Sequence, residues 1–179
     1  KIMKISVLNS NINNLRSIIK ILDHFNYESL PVDKPREILD ADKLIIPGIS
    51  SFGELIKFIN SHNLREALNE KILIQKIPLL AICAGLQILA NSSMESSEKG
   101  LGIINSICKK LPSKKNNLVP HHGWNYLHSD YDNVNYDYNS RYYFCHSYYL
   151  SIKDAKIIHK WCSYNISFPA IIRYENIIG

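Results

Sequence analysis

Cys83 carries the strongest chemical signal in this chain of 179 residues. It follows the apolar run 77–82, which predicts a buried strand, and helix-forming residues begin directly after it. A nucleophile on a tight turn between a strand and a helix requires small residues two positions to either side, and Ala81 and Gly85 meet that requirement. The pattern predicts a cysteine nucleophile whose thiolate is favoured by the positive end of the following helix. An inert buried cysteine is the alternative.

A second loop is expected to lie beside Cys83. Pro47, Gly48, Ile49 and Ser50 follow a second predicted strand at residues 41–46. Because the carboxyl ends of parallel strands share one edge of a sheet, this loop and the cysteine turn are expected to face each other. A backbone N–H of the loop and that of the residue after the cysteine would then bind an oxyanion. The alternative for this segment is a plain Pro-Gly turn.

Hydrophobic periodicity predicts the elements that position these two loops. Strands are predicted at residues 4–8, 41–46 and 77–82, and helices at 15–25, 52–59, 64–74 and 84–93. This alternation predicts an α/β fold with an open, mostly parallel sheet and helices on both faces. In the second half, residues 130–139 predict a loop or hairpin, and strands are predicted at 142–150, 157–161 and 170–174 as antiparallel additions. We expect one domain over residues 1–179.

Composition excludes several classes of function. The charged fraction of 21% is ordinary. The densest cluster of basic residues, lysines 109, 110, 114 and 115, contains no aromatic residue on which a nucleic-acid base could stack. No apolar run reaches membrane length and no signal peptide begins the chain. The four cysteines contain no C-x-x-C pair. We therefore expect a cytoplasmic protein without a metal site, a nucleic-acid partner or a membrane partner.

Five segments, in this order, resemble the motifs of class I, triad-type glutamine amidotransferases. They are residues 47–53 (PGISSFG), 82–87 (ICAGLQ), 100–104 (GLGII), 120–125 (PHHGWN) and 142–148 (YYFCHSY). Together they are most similar to the glutaminase subunits of imidazole glycerol phosphate synthase, which serve histidine biosynthesis. The resemblance covers nearly the whole chain.

The resemblance implies an enzyme in which Cys83 attacks the side-chain amide of glutamine. Ammonia leaves, and water then hydrolyses the glutamyl thioester. Gly48, Ile49 and Ala84 would form the oxyanion site. The substrate-binding residues implied in this way are Gln87, His146, Ser147 and Tyr148. No cofactor is implied.

The resemblance also implies a heterodimer with a (β/α)8-barrel cyclase or synthase subunit, into which the ammonia passes without reaching water. Asn14, Trp124 and Asn125 match positions that lie near this partner in the family. Two departures stand out. The first loop, residues 9–14, is rich in asparagine where the family has glycine, and Ser50 replaces a glycine of the oxyanion loop.

The family's triad histidine and glutamate follow a strand in a His-Pro-Glu motif. This sequence ends at Gly179, where that strand would finish, so we expect the C-terminal end of the domain to be missing and both triad residues to lie beyond it. Of the other histidines, His146 belongs to the substrate segment by resemblance. His121 and His122 are adjacent and would point to opposite faces of a strand, which favours packing or interface roles.

Three alternatives remain open at this point. A paralogous subunit could supply ammonia for amination of a surface-polysaccharide sugar, which the unusual first loop would permit. A catalytically silent subunit could regulate its partner. A flavodoxin-like binding protein is a third, although a phosphate site at this turn would favour Gly, Ser and Thr over Cys83.

Overall fold

The computed structural model describes residues 4–10, 15–115, 117–129 and 136–179, with the backbone alone for 136–139. The helices are α1 (Leu15–His24), α2 (Pro35–Leu39), α3 (Phe52–Ser61), α4 (Arg65–Asn69) and α5 (Ala84–Gln87). A π-helical turn (Glu70–Ile74) continues α4, and a 3-10 turn (Ala155–Ile157) precedes β11. Within these ranges, none of the helices combines the length and the apolar character needed to cross a membrane.

Thirteen strands complete the described chain. In the first half they are β1 (Ile5–Leu8), β2 (Ser29–Val32), β3 (Lys43–Ile46), β4 (Leu79–Ala81), β5 (Ser92–Ser93), β6 (Ser96–Lys99) and β7 (Ser106–Lys110). In the second half they are β8 (His121–His128), β9 (Tyr136–His146), β10 (Tyr148–Ile152), β11 (Ile158–Tyr164), β12 (Ile166–Tyr174) and β13 (Ile177–Ile178).

The main sheet has nine strands in the order β2-β1-β3-β4-β13-β12-β11-β8-β9. Neighbouring strands in the series β2, β1, β3, β4 and β13 pair in parallel. Neighbouring strands in the series β13, β12, β11, β8 and β9 pair antiparallel. A second sheet has the order β10-β7-β5-β6. The arrangement confirms the predicted α/β fold with antiparallel additions from the second half.

Side-chain alternation in the central strands explains why helices cover both faces. On β3, Ile45 points to the face where Ile5 and Val7 pack against α1, and Leu44 and Ile46 point to the larger core on the other face. That larger core contains the buried apolar residues of α3. Because successive side chains of a strand point in opposite directions, one apolar strand can bury itself against helices on both sides.

Helix α3 begins at a capping box that also ends the oxyanion-loop segment. The Ser51 hydroxyl accepts a hydrogen bond from the Glu54 N–H at 3.3 Å, and the Glu54 carboxylate accepts one from the Ser51 N–H at 3.1 Å. These bonds satisfy N–H groups that have no partner within the helix. The start of α3 is therefore held in place next to the loop at residues 47–50.

Several element predictions were wrong. Strand β2 and helix α2 were not predicted because both are short, and Pro31 lies inside the edge strand β2. The helix after Cys83 was predicted to reach residue 93, but α5 has four residues and Ser92 begins β5. Hydrogen bonds from the Asn91 N–H to Ser106 O and from Leu101 N–H to Ile88 O replace the helical pattern.

The strand predicted at residues 142–150 is divided in the structure. It breaks at Ser147, where β9 of the main sheet ends and β10 of the second sheet begins. The Ser147 carbonyl accepts a hydrogen bond from the Leu111 N–H at 2.8 Å. Of the predicted loop or hairpin at 130–139, residues 130–135 lie outside the described part and residues 136–139 belong to β9, which pairs antiparallel with β8.

Candidate active site

Cys83 occupies the sharp turn that the sequence predicted. It lies between β4 and α5 with φ +55° and ψ −117°, a conformation that non-glycine residues seldom adopt. The turn is held by hydrogen bonds from the Ile82 N–H to Ile46 O at 2.9 Å and from the Gln87 N–H to Cys83 O at 3.1 Å. The thiol is free and exposed. This strained geometry is that of a nucleophile elbow.

Two glycines allow the loop after β3 to lie directly on the elbow. A Cβ atom built on Gly48 would lie 2.4 Å from the Gly85 nitrogen and 2.6 Å from the Ala84 Cβ. A Cβ atom built on Gly85 would lie 1.9 Å from the Ile46 carbonyl oxygen. Any side chain at either position would collide with backbone. The prediction that the Pro-Gly loop faces the cysteine turn is therefore confirmed.

One of the predicted oxyanion donors, the Ala84 N–H, already has a hydrogen-bond acceptor within the protein. The Ala84 N–H donates a hydrogen bond to the Gly48 carbonyl oxygen at 3.4 Å. That carbonyl therefore lies where a negatively charged substrate oxygen would have to bind the Ala84 N–H. A peptide rotation in the Gly48–Ile49 segment would turn the carbonyl away. The Ile49 side chain is 67% exposed.

The thiol of Cys83 is less acidic than the sequence predicted. Desolvation by the surrounding protein raises its pKa, the Ala84 N–H lowers it by a smaller amount, and Cys145 and Glu95 raise it further. The Ala84 N–H at the start of α5 does favour the thiolate, as the sequence predicted, but desolvation is the larger effect and raises the pKa overall.

Glu95 and Cys145 are neighbours of the nucleophile that sequence reasoning missed. The Glu95 carboxylate accepts a hydrogen bond from the Phe52 N–H at 2.8 Å, which anchors it at the first residue of α3. Cys145 lies on β9 and lines the same cavity as Cys83. Cys145 belongs to the motif segment 142–148 and Glu95 to none of the five segments, and no sequence pattern indicated that either side chain lies near Cys83.

An open cavity of about 340 Å³ lies beside Cys83. Leu80 and Ile82 form one wall and are each 40% exposed, although β4 is in the middle of the main sheet. The opposite wall comes from β9, β10 and β12, with Phe144, Tyr149 and other largely apolar residues. Ile178 and Gly179, the last residues of the sequence, also line the cavity, and Cys83 contributes an exposed thiol to it.

The predicted substrate-binding residues meet at one carbonyl group. Gln87 Nε2 donates to the Tyr148 carbonyl oxygen at 2.9 Å, and His146 Nδ1 donates to the same oxygen at 2.8 Å. His146 Nε2 lies 3.1 Å from His121 Nδ1. The structure thus brings Gln87, His146 and Tyr148 together beside Cys83, with Ser147 at the turn between them. Their role in binding substrate stays a prediction.

His121 and His122 point to opposite faces of β8, as predicted. His121 is 3% exposed, whereas His122 is exposed and accepts or donates a hydrogen bond of 2.6 Å with the Tyr143 hydroxyl. Among the described residues, His146 is the histidine that lines the cavity, and both its ring nitrogens have partners. Within the same residues, no three His, Cys, Asp or Glu side chains form a metal site.

The residues expected at a partner interface fall into three situations. Asn14 lies outside the described residues. Trp124 is 64% exposed on β8, where it contacts the ring of Tyr143 at 5.4 Å and the Arg141 guanidinium at 5.9 Å. Asn125 turns inward, and its Nδ2 donates to the Ser163 carbonyl oxygen at 3.2 Å. Contact with a partner stays a prediction for all three.

The fold and the site define an α/β protein with an exposed, free cysteine on a strained strand-to-helix turn at the carboxyl edge of a parallel sheet. A sequence profile of the SNO glutamine amidotransferase family matches residues 12–112, more than half of the chain. The chain belongs to this family of glutamine amidotransferases, which confirms the resemblance recognised in its motifs.

Curated relatives match over almost the whole chain. The imidazole glycerol phosphate synthase subunit HisH of Leptospira borgpetersenii is 33% identical over 98% of this chain and 89% of its own length. Subunit HisH 2 of Methanococcus maripaludis is 35% identical over 98% of this chain and 88% of its own.

Solved structures have the same fold at low identity. A crystal structure described as a glutamine amidotransferase aligns with a TM-score of 0.72 at 14% identity, over 97% of this chain and 86% of the other. The glutaminase domain of Trypanosoma brucei CTPS with bound acivicin aligns with a TM-score of 0.63 at 11% identity, over 95% of this chain and 80% of that domain.

Proposed function

We propose that this chain is the single-domain, cytoplasmic glutaminase subunit of imidazole glycerol phosphate synthase and acts in histidine biosynthesis. The observation that carries the chemistry is the free thiol of Cys83, exposed at an elbow that opens into an apolar cavity. The pathway is supported by relatives of that name that match 98% of the chain. A synthase subunit for an aminated sugar is the alternative that the test below separates.

In the proposed reaction, the Cys83 thiolate attacks the side-chain amide carbon of glutamine. The C–S bond forms as the carbonyl oxygen takes the electron pair and becomes an oxyanion. When the oxyanion collapses, the C–N bond breaks and the nitrogen leaves as ammonia with the proton that the general base took from the thiol. Water then hydrolyses the thioester to glutamate and regenerates the thiol. The resemblance implies a triad histidine as the general base. The Ala84 N–H, with the loop at Gly48 and Ile49, binds the oxyanion once the loop peptide has rotated.

Two features support a slow reaction in the isolated subunit. The Ala84 N–H donates to the Gly48 carbonyl, and desolvation by the neighbouring protein raises the pKa of the Cys83 thiol although that thiol is exposed. Both raise the barrier, because one removes an oxyanion donor and the other lowers the thiolate fraction. We infer that a (β/α)8-barrel synthase subunit binds near Asn14, Trp124 and Asn125, shifts this loop and receives the ammonia.

The test is to assay glutamate release by the chain alone and with the synthase subunit. Cys83→Ser should abolish glutaminase activity and leave the circular dichroism spectrum and partner binding unchanged. Cys145→Ser is the matched control, since this exposed thiol lines the same cavity but is not the proposed nucleophile. Glutamine hydrolysis that survives Cys83→Ser would refute the assignment.

The pathway is tested with the partner. The histidine-pathway synthase should form a stable complex, stimulate glutaminase activity in the presence of its ligand and incorporate the released nitrogen. Stimulation by a sugar-aminating synthase in its place would favour the alternative subunit. Full activity of the isolated chain would contradict the coupling.

A further inference from the structure

A continuous set of hydrogen bonds runs from β8 to the helix that carries the nucleophile. Asn125 Nδ2 lies 3.4 Å from His121 Nε2, and His121 Nδ1 lies 3.1 Å from His146 Nε2. His146 Nδ1 and Gln87 Nε2 both reach the Tyr148 carbonyl oxygen, at 2.8 Å and 2.9 Å. These five residues are called the histidine network below.

The chemistry of the partners determines where each proton lies. A carbonyl oxygen only accepts, so His146 Nδ1 must carry a hydrogen. In a neutral imidazole the other nitrogen is then an acceptor, so His146 Nε2 accepts from His121 Nδ1. By the same argument His121 Nε2 accepts from the Asn125 amide. Asn125 Oδ1 accepts from the Tyr126 N–H at 2.8 Å, which agrees with this orientation of its amide.

Packing holds the central ring of the network in place. The His121 ring is stacked between Tyr164, at a centroid distance of 4.0 Å, and Phe144, at 4.6 Å, and His121 is 3% exposed. Desolvation lowers the pKa of His121 to about 4 and also lowers the pKa of His146. Both rings are therefore neutral at neutral pH, as the hydrogen-bond pattern requires.

The network has a consequence for the cavity. The Tyr148 carbonyl oxygen accepts from both Gln87 Nε2 and His146 Nδ1, so both its lone pairs are used. Gln87 lines the cavity, and with Nε2 bound in this way Oε1 is the acceptor that its side-chain amide retains. A substrate N–H group could bind there without any change in the Gln87 side chain.

We propose that His121 and His146 are positioning residues that hold the Gln87 amide, through the Tyr148 carbonyl, in the orientation that accepts a hydrogen bond from an N–H of the substrate. The proposal rests on the proposed function, because it takes glutamine as the ligand of Gln87. The sequence predicted a packing or interface role for His121. In this proposal His121 instead acts on Gln87, a residue that it does not contact, through His146 and the Tyr148 carbonyl.

Two variants at His121 separate hydrogen bonding from packing. His121→Phe keeps an aromatic ring between Phe144 and Tyr164 but removes the N–H that His146 accepts. His121→Asn removes the ring but can place an amide N–H where Nδ1 was. In the complex with the synthase subunit, His121→Phe should raise the KM for glutamine about fivefold with little change in kcat, as for the loss of one hydrogen bond in substrate binding.

The reverse pattern would overturn the proposal. His121→Asn should keep the KM within about twofold of the unchanged chain, since one hydrogen bond is worth more than that factor. If His121→Phe keeps the KM and His121→Asn raises it, packing alone explains the position of His121. Tyr164→Phe, which loses only its bond to the Leu118 carbonyl, is the matched control and should leave the KM unchanged.

A measurement without substrate keeps the test independent of the enzyme assay. Nitrogen NMR of the free chain should show His146 protonated at Nδ1 and not at Nε2, with slowly exchanging Gln87 amide protons that exchange faster in His121→Phe. A charged or Nε2-protonated His146, or unchanged Gln87 exchange, overturns the network. Absence of glutaminase activity in the unchanged chain would instead refute the proposed function. The NMR result would still show whether the hydrogen bonds of the histidine network are present.

Discussion

Gly85→Ala tests whether the nucleophile turn depends on close contact between two stretches of backbone. The added Cβ atom would lie 1.9 Å from the Ile46 carbonyl oxygen and 2.8 Å from its carbon. Real Cβ atoms essentially never approach closer than 3.0 Å, so the turn and β3 would have to separate by 1.1 Å, the difference between 3.0 and 1.9 Å. The obstacle is a main-chain carbonyl, which cannot rotate away as a flexible side chain could.

The cost has two parts. Overpacking of a dense interior costs about 1–3 kcal/mol. The same Ile46 oxygen accepts the Ile82 N–H at 2.9 Å, and weakening that bond adds about 1 kcal/mol. We therefore expect Gly85→Ala to lower the free energy of unfolding by about 2–4 kcal/mol. A shift of about 1 Å at the nucleophile should also lower kcat about 100-fold.

The free energy of unfolding is measured by urea denaturation followed by circular dichroism, and kcat is measured per folded molecule in the synthase complex. Gly100→Ala is the matched control, because its Cβ atom would lie at the same 1.9 Å from a carbonyl oxygen, that of Ala90. It should lose similar stability but keep kcat. The reasoning is refuted if Gly85→Ala retains both stability and kcat, or if Gly100→Ala loses kcat equally.

Two further predictions concern titrating groups. A thiol reagent should modify the exposed Cys83 and Cys145 in the folded chain, whereas Cys108 and Cys162, which are buried with pKa values raised to about 12, should react only after unfolding. Since desolvation raises the pKa of Cys83 above 9.0, its modification rate should still rise with pH above pH 9, and a rate that becomes constant below pH 9 would contradict this. The pKa of His121 is lowered to about 4 in the folded chain, whereas a histidine in the unfolded chain has its normal pKa of about 6.5. Between these two values the unfolded chain therefore binds more protons than the folded chain. Stability at pH 7 should therefore exceed that at about pH 5 by about 1–2 kcal/mol in urea denaturation, and His121→Phe should reduce that difference.

Much of the fold follows from local patterns. Strands β1, β3 and β4 and helices α1 and α3 begin and end close to the predicted residues, because each has a period of apolar residues that one kind of secondary structure can bury. Errors fall where local signals are weak, as for β2 and α2, or where contacts far apart in sequence decide. The break at Ser147 is such a case, since its carbonyl pairs with Leu111.

The sequence by itself determined the chemistry of the elbow. A cysteine between a strand and a helix, small residues around it and a Pro-Gly loop after the neighbouring strand were sufficient to place Cys83 opposite Gly48. These features are local, and the parallel sheet brings the two loops to the same edge whatever the rest of the chain does.

Only the tertiary structure decided how that elbow is tuned. The raised pKa of Cys83 depends on the protein packed around it, and the Ala84 N–H lowers that pKa by less than desolvation raises it. Gln87 meets the Tyr148 carbonyl 61 residues away, and His121 meets His146 across 25 residues. Such contacts arise when β8, β9 and the elbow pack together, and no periodicity or short motif encodes the distance between atoms that far apart in the chain.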